Sequence, residues 1–295
     1  MGDWLEMYTK VMDLNYWTES RCSKATFDES TQHWEVEVIR KGDKLTLRPT
    51  QLVFTTGAYG PPKKIPIKGK KKFKGQIFHS SDYQDGRDFK GKRCVVVGSA
   101  TSAHDICQDL WECGAKSVTM VQRSSSIIIK SETLQEYGFG ELYSEQALKN
   151  GVTTDKADLL FASLPYKLVP DVHREVYRQM YEHDKEFYDQ LQESGFKFDF
   201  GEDGSGLLMR ALRTASGYYI DVGASELIIQ KKIKLKNGAT PERCDEKSIY
   251  FASNKENQFY IIDSATYKFE PISYPLGGRG CMSLSADPGG RIIYI

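Results

Sequence analysis

The sequence lacks several features that would place it in a simple class of proteins. Its six cysteines form no C-x-x-C pair and none of the spacings that zinc sites use, so we expect free, buried thiols and no metal site. Lys plus Arg and Asp plus Glu number 40 each, so no overall field attracts nucleic acid or an anionic membrane. No apolar run approaches a membrane span, and the N-terminal residues include acids that a secretory signal lacks. These absences predict a soluble, cytoplasmic protein.

The composition that remains is that of a folded chain. Its 295 residues are 40% hydrophobic and 12% aromatic, which is enough core for one large domain or two ordinary ones. Apolar residues at helical spacing within residues 4–12 predict an N-terminal amphipathic helix. Alternating residues from Trp34 to Leu47 predict a β-hairpin that turns at residues 41–43, and the apolar run at 51–54 predicts a short buried strand.

A lysine-rich connector follows at residues 60–74. Seven lysines fall within twelve residues, and Pro61, Pro62 and Pro66 disfavour regular structure. A nucleic-acid patch or an import signal is one interpretation of such a run. The interpretation we favour is a solvated loop, because no aromatic residues are interleaved with the lysines and the net charge is zero.

The segment after the connector has the pattern of a βαβ unit. The apolar run Cys94–Val97 is typical of a strand that a parallel sheet buries on both faces. Ala103, Ile106 and Leu110 then recur at helical spacing, and residues 117–121 are predicted to form a second strand. We therefore predict an α/β fold with a parallel, doubly wound sheet.

The turn between this strand and helix predicts a dinucleotide site. A helix that starts directly after a glycine turn directs unpaired N–H groups at an anion such as a diphosphate. The three positions of the G-x-G-x-x-G fingerprint are Gly98, Ala100 and Ala103. The methyl group of Ala100 stands where the diphosphate approaches the backbone, so we expect weakened binding. The alternative is an ordinary βα turn that binds no ligand.

An arginine near the end of the second strand bears on which dinucleotide binds. Arg123 lies 25 residues after Gly98, where an NAD-specific site would carry an acidic residue for the ribose. Arg123, with Ser124 and Ser125 as neighbouring donors, suits the 2′-phosphate of NADPH. The alternative is an exposed arginine without a ligand. His104, one turn into the helix, is predicted to be structural.

Helical and β patterns fill the rest of the chain. Residues 155–195 are predicted to be helical, with Val172, Met180 and Leu191 on one stripe and Gly195 at the end. Short β patterns occur at residues 232–235, 248–251 and 259–262, and the last stretch has no clear periodicity.

Several motifs together resemble flavin-containing monooxygenases of the plant, fungal and bacterial type. The stretch "FKGQIFHSSDY" fits the identifying motif F-x-G-x-x-x-H-x-x-x-Y through Phe73, Gly75, His79 and Tyr83. The stretch "TTGAYGPPKKIP", which contains Thr56 and Gly57, resembles the linker that ends the family's FAD-domain hairpin. "HDICQDLWECGAKSVTMVQRS" and "FGEDGSGLLMRALRTASGYYIDVGASELI" are also similar, so the resemblance covers roughly residues 1–250.

The resemblance implies a flavoprotein with two dinucleotide-binding domains. NADPH would reduce FAD, and the reduced flavin would capture O₂ as a C4a-hydroperoxide and oxygenate a small molecule at a soft nitrogen or sulfur, or a ketone. No catalytic side chain is required. The implied cofactor-binding residues are Gly98, Ser99, Ala100, Thr101, Ser102, Arg123, Ser124, Thr56 and Gly57. His79 and its motif would couple the two domains, or His79 is a hydrogen-bonded histidine at a domain junction.

The resemblance also implies a domain plan that is incomplete. We expect residues 1–59 to be a remnant of the FAD domain, 60–74 a linker, 75–225 a Rossmann-like NADPH domain with a helical insertion, and 226–295 a divergent return segment. The family's first FAD-binding βαβ unit is not in the sequence, so we expect an incomplete FAD site and an uncovered apolar surface that drives self-association. Three hypotheses follow: an NADPH- and FAD-dependent monooxygenase or part of one, a non-catalytic NADP-binding remnant, and a basic-loop adaptor.

Overall fold

The chain divides into two units after Pro61. The computed structural model describes residues 2–55, 62, 65–253, 258–262, 269–273, 281–285 and 291–294. The first unit is Met1–Pro61 and the second is Pro62–Ile295. The finer division of the chain at residues 74 and 225 stays a prediction.

The first unit contains a helix and, in its described residues, a three-stranded antiparallel sheet. Its elements are α1 Gly2–Val11, β1 Ser20–Asp28, β2 His33–Arg40 and β3 Asp43–Leu47. Strand β2 lies in the middle and buries Val36 and Val38. Lys41 and Gly42 turn the hairpin with positive φ, as a two-residue turn between twisted strands requires.

One predicted strand in this unit is wrong. Residues 51–54 adopt no strand, and Val53 and Phe54 are exposed. An apolar run this short does not distinguish a buried strand from an exposed loop, because only a partner strand decides between them.

The second unit contains twelve of the described strands. They are β4 Gln76–His79, β5 Arg93–Val97, β6 Ser117–Gln122, β7 Ile127–Lys130, β8 Tyr218–Asp221, β9 Ile233–Asn237, β10 Ala239–Cys244, β11 Ser248–Ser253, β12 Gln258–Ile262, β13 Phe269–Ser273, β14 Cys281–Ser285 and β15 Arg291–Tyr294. Within the described ranges, parallel strands form a sheet in the order β4-β15-β5-β6-β9. A mixed sheet has the order β10-β11-β14-β12-β13, and β7 pairs with β8 in parallel. The predicted parallel α/β architecture is therefore confirmed.

The described helices of the second unit are α2 Thr101–Glu112, α3 Ser131–Thr133, α4 Glu145–Lys149, α5 Thr154–Ser163, α6 Val169–His183, α7 Lys185–Glu193, α8 Gly206–Thr214 and α9 Ala224–Ile229. Of these, helices α2, α8 and α9 contact strands of the parallel sheet or of the β7-β8 pair, and other helices join the strands along the chain. The predicted stretch 155–195 is divided into α5, α6 and α7. Met180 and Leu191 are buried as predicted, whereas Val172 is half exposed, and Val169 is the buried valine of the same helical turn. Gly195 ends the stretch with φ of +91°, a conformation that favours glycine.

The main core lies between the parallel sheet and its helices. Strand β5 contributes Val96, helix α2 contributes Leu110, and strand β6 contributes Met120, all fully buried. The predicted unit β5-α2-β6 is therefore present, and each such side chain stabilises the fold by about 1.5–3 kcal/mol relative to exposure. The connector also joins a core, because Ile67 and Phe73 pack with Phe251.

Candidate dinucleotide-binding site

The turn between β5 and α2 has the backbone geometry of a dinucleotide turn. Strand β5 ends at Val97, and Gly98 follows with φ of +138°, in a region that L side chains rarely adopt. The Gly98 N–H donates to the carbonyl of Val121 on β6 over 2.9 Å. Helix α2 then begins at Thr101, so its first-turn N–H groups lie at the carboxyl edge of the parallel sheet.

Ala100 occupies the N-cap of this helix without strain. Its φ of −99° and ψ of −172° are extended, and its carbonyl accepts the N–H groups of Ala103 and His104 at 3.0 and 3.2 Å. No side chain caps the N-terminus of the helix, which leaves first-turn N–H groups for an anion. The backbone conformation therefore tolerates alanine here, and we expect the main cost of the methyl group in the contact with the ligand.

The side chains around the turn have different roles. Thr101 and Ser102 are exposed, but the Thr101 hydroxyl donates to the Tyr218 carbonyl of β8 over 3.0 Å. Ser99 is half-buried, and its hydroxyl lies 2.8 Å from that of Ser126. Thr101 and Ser99 thus hold the turn to neighbouring strands, and the groups that remain for a diphosphate are mainly backbone N–H donors.

Arg123 and Ser124 lie exposed directly after β6. Because β5 and β6 are parallel neighbours, these residues stand at the same sheet edge as Gly98. We expected Ser125 to donate to a phosphate, but its hydroxyl donates to the carboxylate of Asp199 instead.

Asp199 carries a charge next to this edge. Burial alone would raise its pKa, but hydrogen bonds from Ser125 and the Gly201 N–H, together with the nearby Arg210 guanidinium, lower it overall. Its Oδ1 atom accepts from Arg210 over 2.5 Å. Asp199 therefore remains ionised at neutral pH.

The motif residues contact the parallel sheet and helix α2. Phe73 is buried in a core cluster, and Gly75 is half-buried. His79 ends β4, and its Nδ1 accepts the N–H of Ser81 at 3.1 Å, which caps a 3₁₀ turn. Tyr83 donates its hydroxyl to Asp109 of α2 over 2.5 Å.

Asp109 is a residue that the sequence did not indicate. Its Oδ2 accepts both the Tyr83 hydroxyl and the Gly86 N–H, the latter over 2.8 Å. A Cβ on Gly86 would come within 2.7 Å of the Asp109 carbonyl oxygen, so the chain passes very close to the helix here. Burial and the adjacent carboxylate raise the pKa of Tyr83, which keeps its hydroxyl a donor. No local spacing signals this contact, because the partners are 26 residues apart.

His104 is a buried structural histidine, as predicted. Its ring stacks on Tyr219 at 4.0 Å between centroids, and Nδ1–H donates to the Ala100 carbonyl over 3.0 Å. Burial lowers the pKa of His104 from 6.5 to about 4, so the ring is neutral. Thr56 and Gly57, the remaining predicted cofactor-binding residues, lie outside the described residues.

A cleft of about 750 Å³ lies beside helix α6. Residues of α6 and of the segment 196–200 line it, among them Arg178, Tyr181 and Phe198. None of the predicted cofactor-binding residues is among the residues that line this cleft.

The described part of the chain lacks two features. No three His, Cys, Asp or Glu side chains there come together as metal ligands. No helix there has both the length and the apolar character needed to cross a membrane.

Comparisons with known proteins agree with the geometry. A model of the family "Pyridine nucleotide-disulphide oxidoreductase" matches residues 8–199. A probable indole-3-pyruvate monooxygenase of Arabidopsis thaliana, YUCCA10, is 26% identical over 267 residues, which are 90% of this chain and 61% of that protein. A trimethylamine monooxygenase of Methylocella silvestris is 34% identical over 103 residues, which are 34% of this chain and 23% of that protein. The chain therefore spans only part of the relatives it matches.

Solved structures show the same fold. The structure of OTEMO in complex with FAD and NADP has a TM-score of 0.58 and 17% identity, and it covers 99% of this chain and 55% of its own. Oxidized steroid monooxygenase bound to NADP gives the same TM-score, identity and coverage. The expected resemblance to flavin-dependent monooxygenases, which have two dinucleotide-binding domains, is thereby confirmed.

Proposed function

Because this chain belongs to the pyridine nucleotide-disulphide oxidoreductase family, we propose that it is an NADPH- and FAD-dependent monooxygenase, or part of one. It would transfer one oxygen atom of O₂ to a soft nitrogen or sulfur of a small molecule. The observation that carries the proposal is the turn at Gly98, whose helix N-terminus opens beside Arg123 at the carboxyl edge of the parallel sheet.

The residues present suit an NADPH molecule. The backbone N–H groups at the start of α2 would hold the diphosphate, and the exposed Thr101 and Ser102 leave room for it. The Arg123 guanidinium would pair with the 2′-phosphate, for which its planar donors are suited. FAD, when bound, supplies the activation of O₂. The part of this chain is to bind and orient NADPH, with no side-chain nucleophile.

The fit to FAD is supported by the family and the fold only. Among the described residues, a second strand–glycine–helix passage leads from β8 through Gly223 into α9. There the carboxylate of Asp221 accepts the N–H groups of Gly223 and Ser225 at 3.2 and 3.1 Å, so it occupies the place of an anion. The start of α9 is therefore not free to bind a diphosphate. If the chain binds NADPH but no FAD, the alternative function is that of a non-catalytic NADP-binding protein.

Cofactor titrations test the proposal. NADPH is titrated against the purified chain through quenching of its tryptophan fluorescence, and FAD through its own fluorescence. NADPH binding with stoichiometric FAD binding and NADPH-dependent O₂ uptake would support the monooxygenase. NADPH binding without FAD binding would support the non-catalytic alternative, and no binding of either cofactor would contradict both.

Substitution of Arg123 tests whether the site prefers NADPH to NADH. Arg123→Ala should weaken NADPH about tenfold or more and NADH little, because a charge-assisted hydrogen bond contributes about 1.5–3 kcal/mol. Arg48→Ala is the matched control, since Arg48 is an exposed arginine of the first unit. Equal losses for NADPH and NADH would remove the 2′-phosphate assignment.

The proposed location is the cytoplasm. The described cysteines Cys22, Cys94, Cys107, Cys113 and Cys244 are all free thiols, which suits a reducing compartment. Cys94, Cys107 and Cys244 are buried as expected, whereas Cys113 is half-buried and Cys22 is exposed, so the expected burial is wrong for these two.

A further inference from the structure

Ser126, directly before strand β7, contacts the turn that follows Gly98. It is 2% exposed, and its hydroxyl donates to the carbonyl of Ser99 over 2.7 Å. The two hydroxyl oxygens lie 2.8 Å apart. Since the single hydroxyl proton of Ser126 goes to the carbonyl, the Ser99 hydroxyl is the donor in the second bond. One buried serine therefore holds both the main chain and the side chain of Ser99.

Ser126 is itself held from its other side. Its N–H donates to the Lys197 carbonyl over 3.1 Å, and its carbonyl accepts the N–H of Asp199 at 3.3 Å. The neighbouring Ser125 donates to the Asp199 carboxylate, which also accepts from Arg210 of α8. Ser126 is thus held by residues 197–199 and, through Asp199, by Arg210 of α8, all of which lie outside the turn at Gly98.

We propose that Ser126 is a positioning residue that sets the affinity of the turn for the diphosphate of a dinucleotide. The inference depends on the proposed function, namely that the turn at Gly98 binds NADPH. Fixing the carbonyl of Ser99 fixes the plane of the peptide that joins Ser99 to Ala100, and so the direction of the Ala100 N–H. N–H donors that already point toward the anion need no reorganisation when it binds. The free-energy cost of ordering them is therefore saved, and the affinity is higher.

The experiment compares three variants by ligand affinity. Ser126→Ala removes both hydroxyl bonds, and Ser126→Cys keeps the side-chain size but provides only a weak donor. Ser194→Ala is the control, because it removes another hydroxyl-to-carbonyl bond, of 2.6 Å to Leu191. The dissociation constants of NADPH, NADH and 2′-AMP are measured for each, with thermal unfolding as the check on folding.

A positioning role predicts a loss specific to the diphosphate. Ser126→Ala should weaken NADPH and NADH by the same factor, about fivefold to tenfold, and leave 2′-AMP unchanged because that ligand has no diphosphate. Ser126→Cys should fall between the alanine variant and the wild type. Ser194→Ala should bind all three ligands as the wild type does.

Other outcomes separate the two proposals. Wild-type affinity for NADPH in Ser126→Ala, or in Ser126→Cys if the alanine variant does not fold, would overturn the inference alone. So would an equal loss for 2′-AMP, because it would show a general structural effect. A wild-type chain that binds neither NADPH nor NADH would overturn the proposed function, and the inference with it.

Discussion

At the scale of single residues, the site depends on polar groups that meet from distant parts of the chain. Tyr83 belongs to a motif that the sequence identifies, yet its partner Asp109 lies in the last turn of α2. The carboxylate fastens the segment after the motif to the helix whose N-terminus forms the candidate site. Tyr83 therefore has a structural role in holding this segment to α2, in addition to the proposed role of its motif in coupling the domains.

The first prediction concerns this bond. Tyr83→Phe should lower the free energy of unfolding by about 1–2 kcal/mol, because a hydrogen bond to a charged carboxylate is lost from a half-buried site. Urea unfolding at pH 7 measures the change. Tyr166→Phe is the control, since Tyr166 is 67% exposed. Equal stability of the two variants would contradict the role of Asp109.

The second prediction concerns the buried His104. Its folded-state pKa is about 4 and its ordinary value is 6.5, so the unfolded chain binds the proton first as pH falls. The stability contribution is complete above pH 6.5 and is lost progressively toward pH 4. Between pH 7 and pH 5 the loss is about 2 kcal/mol by linkage.

Two variants isolate this contribution. His104→Phe keeps a ring against Tyr219 but does not titrate, so its unfolding free energy should fall less between pH 7 and pH 5 than that of the wild type. His183→Gln removes an exposed histidine and should keep the wild-type dependence. Parallel pH profiles for the wild type and His104→Phe would show that His104 is not the titrating group.

At the scale of elements, the start of α2 decides how well the turn receives an anion. The backbone at Ala100 is extended, a conformation that alanine and glycine both adopt without strain. Glycine at an N-cap is favoured over alanine by the helix itself. Alanine in place of the fingerprint glycine therefore costs the helix a little, and we expect its main effect on the contact with the ligand.

The third prediction follows for this element. Ala100→Gly should tighten NADPH binding by about threefold to tenfold, since removal of a methyl group from the approach of the diphosphate relieves a contact of about 1 kcal/mol. Fluorescence titration measures it. Ala215→Gly, at the left-handed end of α8 with φ of +56°, is the control for a new glycine elsewhere. Unchanged NADPH affinity in Ala100→Gly would mean that the methyl group is harmless.

At the scale of the whole molecule, the second unit exposes several large apolar side chains in residues 148–168. Leu148, Leu159, Phe161, Tyr166 and Leu168 are each at least 45% exposed. Scattered apolar residues are normal on a protein surface, but here they fall within one stretch of chain. We expect this stretch to associate with a second copy.

The fourth prediction tests this association. The wild type should elute from a sizing column with a mass above 33.5 kDa that rises with concentration. The double variant Leu159→Ser with Tyr166→Ser should shift toward the monomer, because it removes exposed apolar surface without touching the core. Light scattering gives the mass, and a monomeric wild type at all concentrations would contradict the expectation.

The sequence alone determined the elements that rest on local pattern. The unit β5-α2-β6, its glycine turn and the hairpin β2-β3 follow from periodicity and turn chemistry within about thirty residues, so no distant contact is needed to specify them. The exposed position of Arg123 beside Gly98 follows as well, because adjacent parallel strands end at one sheet edge. Periodicity failed at residues 51–54 and at Val172, where exposure depends on neighbours that the pattern does not contain.

Only the tertiary structure decided the polar contacts that complete the site. Ser126 on Ser99, Asp199 on Ser125, and Asp109 on Tyr83 join residues 26 to 74 positions apart. A serine or an aspartate has the same appearance in the sequence whether it is solvated or buried against a partner. Its role arises when folding removes water and leaves one acceptor within reach, which is a property of the packed chain.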